Sequence, residues 1–224
     1  IYEAPRQYQR NAPKPDSTKA VGYCPAVLDY EARIFEVLCP FDLHIRLARD
    51  AEGNLQLQYP RPNESTSNPQ YISKLVVPSS PSEWRDPDKP ILQIKTPYRF
   101  VADEPVYINQ LPPFYHYRRP PLPGVMIGGR FPIHDWPRIL MWAFEWFNPE
   151  KDLILRRGEP WFCVRFETED PSRQVRLVEA AMTPELEQYL KGMDTVTQYV
   201  SRTFSLLPTA RSRRPHQLLT KVKR

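Results

Sequence analysis

The residues best suited to chemistry in this chain gather in two neighbouring stretches. The first is the loop Tyr115, His116, Tyr117, Arg118 and Arg119, inside the proline- and aromatic-rich run LPPFYHYRRPPLPG at 111–124. Guanidinium groups interleaved with aromatic rings suit carboxylates, phosphates or a partner protein; the alternative is a proline-stiffened loop that packs its rings on the fold. The second stretch holds Arg130, His134 and Asp135, just beyond Gly128-Gly129. A histidine beside a carboxylate can hold a metal or relay a proton. Adjacent residues of a strand point to opposite faces, however, so a turn in which His134 and Asp135 act as caps is the competing reading. A metal, if bound, would draw on His116, His134 and Asp135, with His44 as a further donor.

The common catalytic signatures are missing: the sequence holds no Walker loop, GxGxxG, GxSxG, HExxH or CxxC pair. Neither a cofactor nor a reaction is named by any motif. Cys163 lies in the apolar run Trp161–Val164 and reads as an inert buried thiol. Trp136, Trp142, Trp146 and Trp161 read as core.

The elements that must position these groups follow a two-residue period. Phe41, Leu43, Ile45 and Leu47 alternate with polar residues, Asp50–Asn54 supplies turn chemistry, and Leu55, Leu57 and Tyr59 alternate again; together they predict a hairpin. Short strands are expected at Ile72–Val77, from Leu92 to Thr96 with Pro97 interrupting before Tyr98–Val101, and at Val106–Gln110. Val125–Ile127 should lead into a tight Gly128-Gly129 turn. Arg138–Phe147 is apolar on both faces, which predicts burial on both. Asp152–Arg156 and Trp161–Glu167 should close as a hairpin about Arg157-Gly158. The period then changes. Thr183 is an N-cap, Pro184 opens a helix, and Leu186, Tyr189, Leu190, Met193, Val196, Val200 and Phe204 form one amphipathic face.

Composition agrees with one folded β domain of ordinary size. Proline is the anomaly: 27 prolines in 224 residues is about 12%, where ~5% is usual, against only 7 glycines. Many of these prolines must lie in loops and at strand ends. Three cysteines without a paired spacing fit a reducing, cytoplasmic setting. No signal peptide and no membrane span are expected. The net charge of +5 is local: after Asp194 come seven basic residues and no acidic one, leaving −2 for the rest. That tail reads as a solvated terminus or a contact for an anionic surface.

The order of VGYCPAVLDY at 21–30, CPFDLHIRL at 39–47, ILQIKTPYRF at 91–100, LPGVMIGG at 122–129 and RRGEPWFCVRF at 156–166 resembles an uncharacterised domain family of bacteria and marine tailed phages. In that family acidic residues commonly follow the PGV-like turn, where this chain has Ile127, Gly128 and Gly129. LPGVMIGG and RRGEPWFCVRF also resemble the β-clip fold of trimeric dUTPases, without the catalytic aspartate after the PG turn. The likeness implies a fold and no activity.

The expected architecture is therefore mainly β: an antiparallel β sandwich or barrel, jelly-roll or β-clip-like, with one C-terminal α-helix. Its parts are an extended arm at 1–20, a β domain at 21–170, a helical segment at 171–204 and a basic tail at 205–224. Three functions fit: a non-catalytic domain that binds a small molecule or protein, a metal-dependent enzyme of cupin or oxygenase type, or an oligomeric, phage-type assembly component.

Overall fold

A computed structural model describes residues 2–3, 20–60, 69–113, 121–194, 203–220 and 222. It is a mainly antiparallel β protein with open sheets and a helical C-terminus. In chain order the strands are β1 (Tyr2–Glu3), β2 (Ile34–Leu38), β3 (Leu43–Arg49), β4 (Leu55–Gln58), β5 (Val76–Pro78), β6 (Ile91–Arg99), β7 (Val106–Leu111), β8 (Gly124–Ile127), β9 (Arg130–Pro132), β10 (Ile139–Trp146), β11 (Leu153–Leu155) and β12 (Pro160–Thr168). The helices are α1 (Pro25–Glu31), α2 (Pro69–Leu75), α3 (Pro184–Asp194) and α4 (Thr203–Ser212). Among the described residues the strands order as β1-β2-β12-β7-β9, β5-β6-β10-β8 and β11-β3-β4. No helix among them is long and apolar enough to cross a membrane.

The chain divides into two compact units. The first comprises residues 1–96, 110–129 and 141–165. Its predicted hairpin forms, with Leu47 opposite Leu57 and Arg49 opposite Leu55. Asp50 builds the turn: its carboxylate accepts from the Glu52 and Asn54 amides and from the Asn54 and Gln56 side chains, an Asx arrangement that closes the loop locally. Three of the four tryptophans expected in the core are there, while Trp136 is only partly buried. Trp142 stacks on Phe144 at 4.8 Å and lies 5.6 Å from Trp161, and Trp142, Trp146 and Trp161 are all buried.

Four expectations for this unit need correction. Residues 69–75 are helix, with only 76–78 in a strand. Ile72 and Val76, both buried, stand four apart and satisfy a helical stripe as well as a strand. The segments about Gly158 do not pair with each other. Leu153–Leu155 joins β3 and Pro160–Thr168 joins β2, because the corner is held by Cys39: the Gly158 amide donates to the Cys39 carbonyl and the Cys39 amide to that of Glu159, each at 2.8 Å. The strand buried on both faces is β12, where Trp161–Val164 are consecutively buried; β10 buries Leu140, Trp142, Phe144 and Trp146 but leaves its other face half-covered. Gly128 and Gly129 have ordinary negative φ. What Gly128 provides is closeness, since a Cβ there would sit 2.9 Å from the Gln110 carbonyl oxygen.

The second unit comprises residues 97–109, 130–140 and 166–224. Here α3 forms as predicted, with the Leu186 amide donating to Thr183 Oγ1 at 3.2 Å. Its face of Leu186, Tyr189, Leu190 and Met193 packs with Ala210, Leu218, Val101 and Trp136. Val196 and Val200, the next positions of the expected stripe, and the side chain of Phe204 lie outside the described residues. In place of one C-terminal helix, two are described, and α4 runs across the expected boundary at 204 into the basic tail. Pro208 sits inside α4 and removes one helical hydrogen bond, which is why the sequence alone reads as helix only up to that region.

Candidate functional site

Tyr115, His116, Tyr117, Arg118 and Arg119, the first predicted stretch, lie outside the described residues. The second stretch lies wholly in the second unit. Residues 133–135 form a turn, and this lets adjacent side chains meet that a strand would have separated. His134 Nδ1 lies 3.1 Å from both the amide and the carbonyl of Val106. The Val106 N–H donates to Nδ1, and a nitrogen that accepts there carries no proton. The proton then sits on Nε2, facing Asp135 Oδ2 at 3.4 Å.

Asp135 is only 4% exposed and is engaged chiefly by the tail: Arg211 Nε and Nη2 donate to Oδ2 at 2.9 and 2.5 Å. Arg130 stands on β9 with its guanidinium 3.8 Å over the Tyr107 ring and its Nε donating to Glu167. Around these groups opens a cavity of about 560 Å³ bordered by Tyr107, His134, Asp135, Glu169, Arg211 and His216. His134, Asp135, Arg211 and Arg214 spend polar atoms on one another, on Asp103 and on backbone. His134 is thus a clasp for the turn, and its free base position is already occupied. Two of the seven tail cations, Arg211 and Arg214, are structural partners of this turn.

His44, the further metal candidate, belongs to the first unit. Its Nε2 lies 2.7 Å from Asp152 Oδ2, and Arg46 Nε and Nη2 each donate to the same carboxylate at 2.9 Å. The Arg46 hydrogen bond leads in holding the Asp152 carboxyl below its ordinary range, with His44 adding to it. A depressed folded pKa means stability present above the unfolded value of about 4 and lost as pH falls through the folded one. Wild-type protein should therefore lose urea resistance below pH ~4 more steeply than Asp152→Asn. Parallel pH profiles for the two would refute the linkage. Among the described residues no group of three or more His, Cys, Asp or Glu is placed to hold a metal ion.

The cysteines are free, with Cys39 and Cys163 buried. Burial pushes the Cys163 thiol up to about 12, which leaves negligible thiolate at neutral pH.

Sequence reading missed a second concavity, in the first unit. It encloses about 260 Å³ and is lined almost wholly by apolar side chains, among them Leu47, Leu57, Val76, Leu92, Trp84 and Trp146. The hairpin supplies one wall: Leu55, Leu57 and Tyr59 alternate along and beyond β4, and Leu47 stands opposite Leu57 on β3. Trp84 is fixed in place, its indole Nε1 donating to Ser79 Oγ at 3.1 Å; that of Trp146 donates to the Asn148 carbonyl at 2.9 Å. The half-buried Tyr59 hydroxyl also faces burial, which raises its pKa, and among the described residues no group is bonded to it. The local signal was the half-exposed Leu55-x-Leu57-x-Tyr59 row, a set of apolar residues without a visible partner in sequence. Comparison of this chain with protein-family models, with characterised proteins and with solved structures finds no match.

Proposed function

We propose that this chain is a non-catalytic binding domain whose ligand places one ring-sized apolar group in the pocket between the β3–β4 hairpin and Trp84. The observation that carries the reading is the pocket itself: apolar walls, two anchored indoles and one hydroxyl unengaged among the described residues are the usual make-up of a small-molecule site. Apolar cavities of roughly 150 Å³ hold benzene, so about 260 Å³ suits a fused ring pair. The polar groups of the second unit support the same conclusion from the other side, since the most reaction-like pair, His134 and Asp135, is committed to holding a turn. A jelly-roll or β-clip-like sandwich working in a reducing compartment fits the three free cysteines.

1-Naphthol, a ring pair with one hydroxyl, tests this. It should quench tryptophan fluorescence saturably and, at a hundredfold excess over Kd, stabilise the protein by about 2.7 kcal/mol. Leu57→Trp, which fills the pocket, should abolish both effects, and Tyr59→Phe should weaken binding roughly three- to tenfold. Undiminished quenching and stabilisation in Leu57→Trp would refute the site.

A further inference from the structure

Among the described residues of the second unit, the arginines withdrawn from solvent have hydrogen-bond partners, with one exception. Arg99, 17% exposed, gives two hydrogen bonds to Asp194 and others to the Pro137 and Leu190 carbonyls. Arg214, 12% exposed, is bonded by Asp103 and four carbonyls. Arg138 is also withdrawn from solvent, enough for burial to lower its pKa, yet it makes no hydrogen bond and no ion pair among the described residues. Its guanidinium lies 4.8 Å over the Trp136 ring. The carboxylate that acts on it electrostatically is Asp194, whose two oxygens are both held by Arg99 Nη2 at 2.9 and 2.7 Å. The neighbouring Trp136 indole N–H is likewise buried without an acceptor among the described residues.

Withdrawing a charged group from water is costly when no acceptor takes its N–H groups and the nearby carboxylate is already held by another arginine. The aromatic face covers one side of the guanidinium and takes none of its N–H groups, which stay available to two oxygens of one anion. We infer that Arg138, seated on Trp136, is a binding site for an oxyanion, a carboxylate or phosphate group of a ligand. This site is separate from the apolar pocket and does not depend on it. Arg138 would be an exposed cost in the free protein that the anion removes, so deleting the charge should relieve the fold as it destroys the site.

The test is thermal unfolding of the full chain in phosphate and in citrate, each against chloride at equal ionic strength. Phosphate or citrate should raise the Tm of wild type above its value in chloride. A response to phosphate alone assigns a phosphoryl group, and a response to citrate alone a carboxylate. Arg138→Gln should melt no lower than wild type in chloride and show no anion-specific rise. Arg138→Lys, which keeps stem and charge without the fork, should bind the anion at least about tenfold more weakly; an Arg138→Gln that does not fold refutes the relief expected of the free protein. Wild type that melts alike in all three salts, or a substituted protein that keeps the full anion response, overturns the assignment.

Discussion

Arg214→Ala is expected to destabilise the protein by about 3 kcal/mol, the loss expected when several backbone carbonyls lose one charged donor together. The guanidinium is 12% exposed. Its Nε donates to the His134 carbonyl, Nη2 to the Ala102 carbonyl and Asp103 Oδ1 at 2.9 and 3.1 Å, and Nη1 to the Pro215 carbonyl at 2.9 Å. Truncation leaves two distant loop carbonyls and a carboxylate short of donors. The loss stays near 3 kcal/mol because Asp103 keeps the Leu218 and Leu219 amides at 3.0 and 3.3 Å. Arg176→Ala, at an exposed position, should change stability by less than about 0.5 kcal/mol. Urea unfolding measures both. If the two variants unfold at the same midpoint, Arg214 is a solvated cation like its neighbours, and the tail is only a tail.

That contrast marks where the sequence ceased to be informative. Seven basic residues after Asp194 look alike in one dimension; which of them becomes a bolt depends on carboxylates 76 and 111 positions away. The strands were readable wherever alternation coincided with local closure, as at Asp50 between β3 and β4, and α3 was readable because Thr183, Pro184 and the Leu186 stripe all agree. Ile72–Val77 failed for the opposite reason: its apolar spacing satisfies both periods, and tertiary packing decided for helix. His134 and Asp135 were correctly singled out as neighbours of a turn, but the partners that occupy them, Val106 and Arg211, come from elsewhere in the chain. The apolar pocket was least legible, since its walls span Leu47 to Trp146 and only folding brings them together.

Gly124→Ala should be the more damaging change, costing about 4 kcal/mol or more, in the range reserved for core disruption. Within LPGVMIGG, Gly124 stands opposite Trp146 where β8 meets β10. A Cβ there would lie 2.0 Å from the Glu145 carbonyl oxygen, 2.9 Å from its carbon and 2.8 Å from Phe144 Cζ. Two of these three atoms are backbone of the facing strand, and the third belongs to a fully buried ring, so no side-chain rotation relieves the overlap. Either β8 peels from β10 or the Trp142–Phe144–Trp146 row shifts. Gly53→Ala supplies the control: its φ of +84° disfavours alanine, but nothing lies within 4 Å of the added methyl, so it should cost only about 1–2 kcal/mol. The pair separates backbone conformation from steric closeness, because one glycine is needed for its φ and the other for the space it leaves. Equal losses in the two variants would mean that β8 can yield at Gly124. The PG step would then be punctuation rather than the point where two strands come closest.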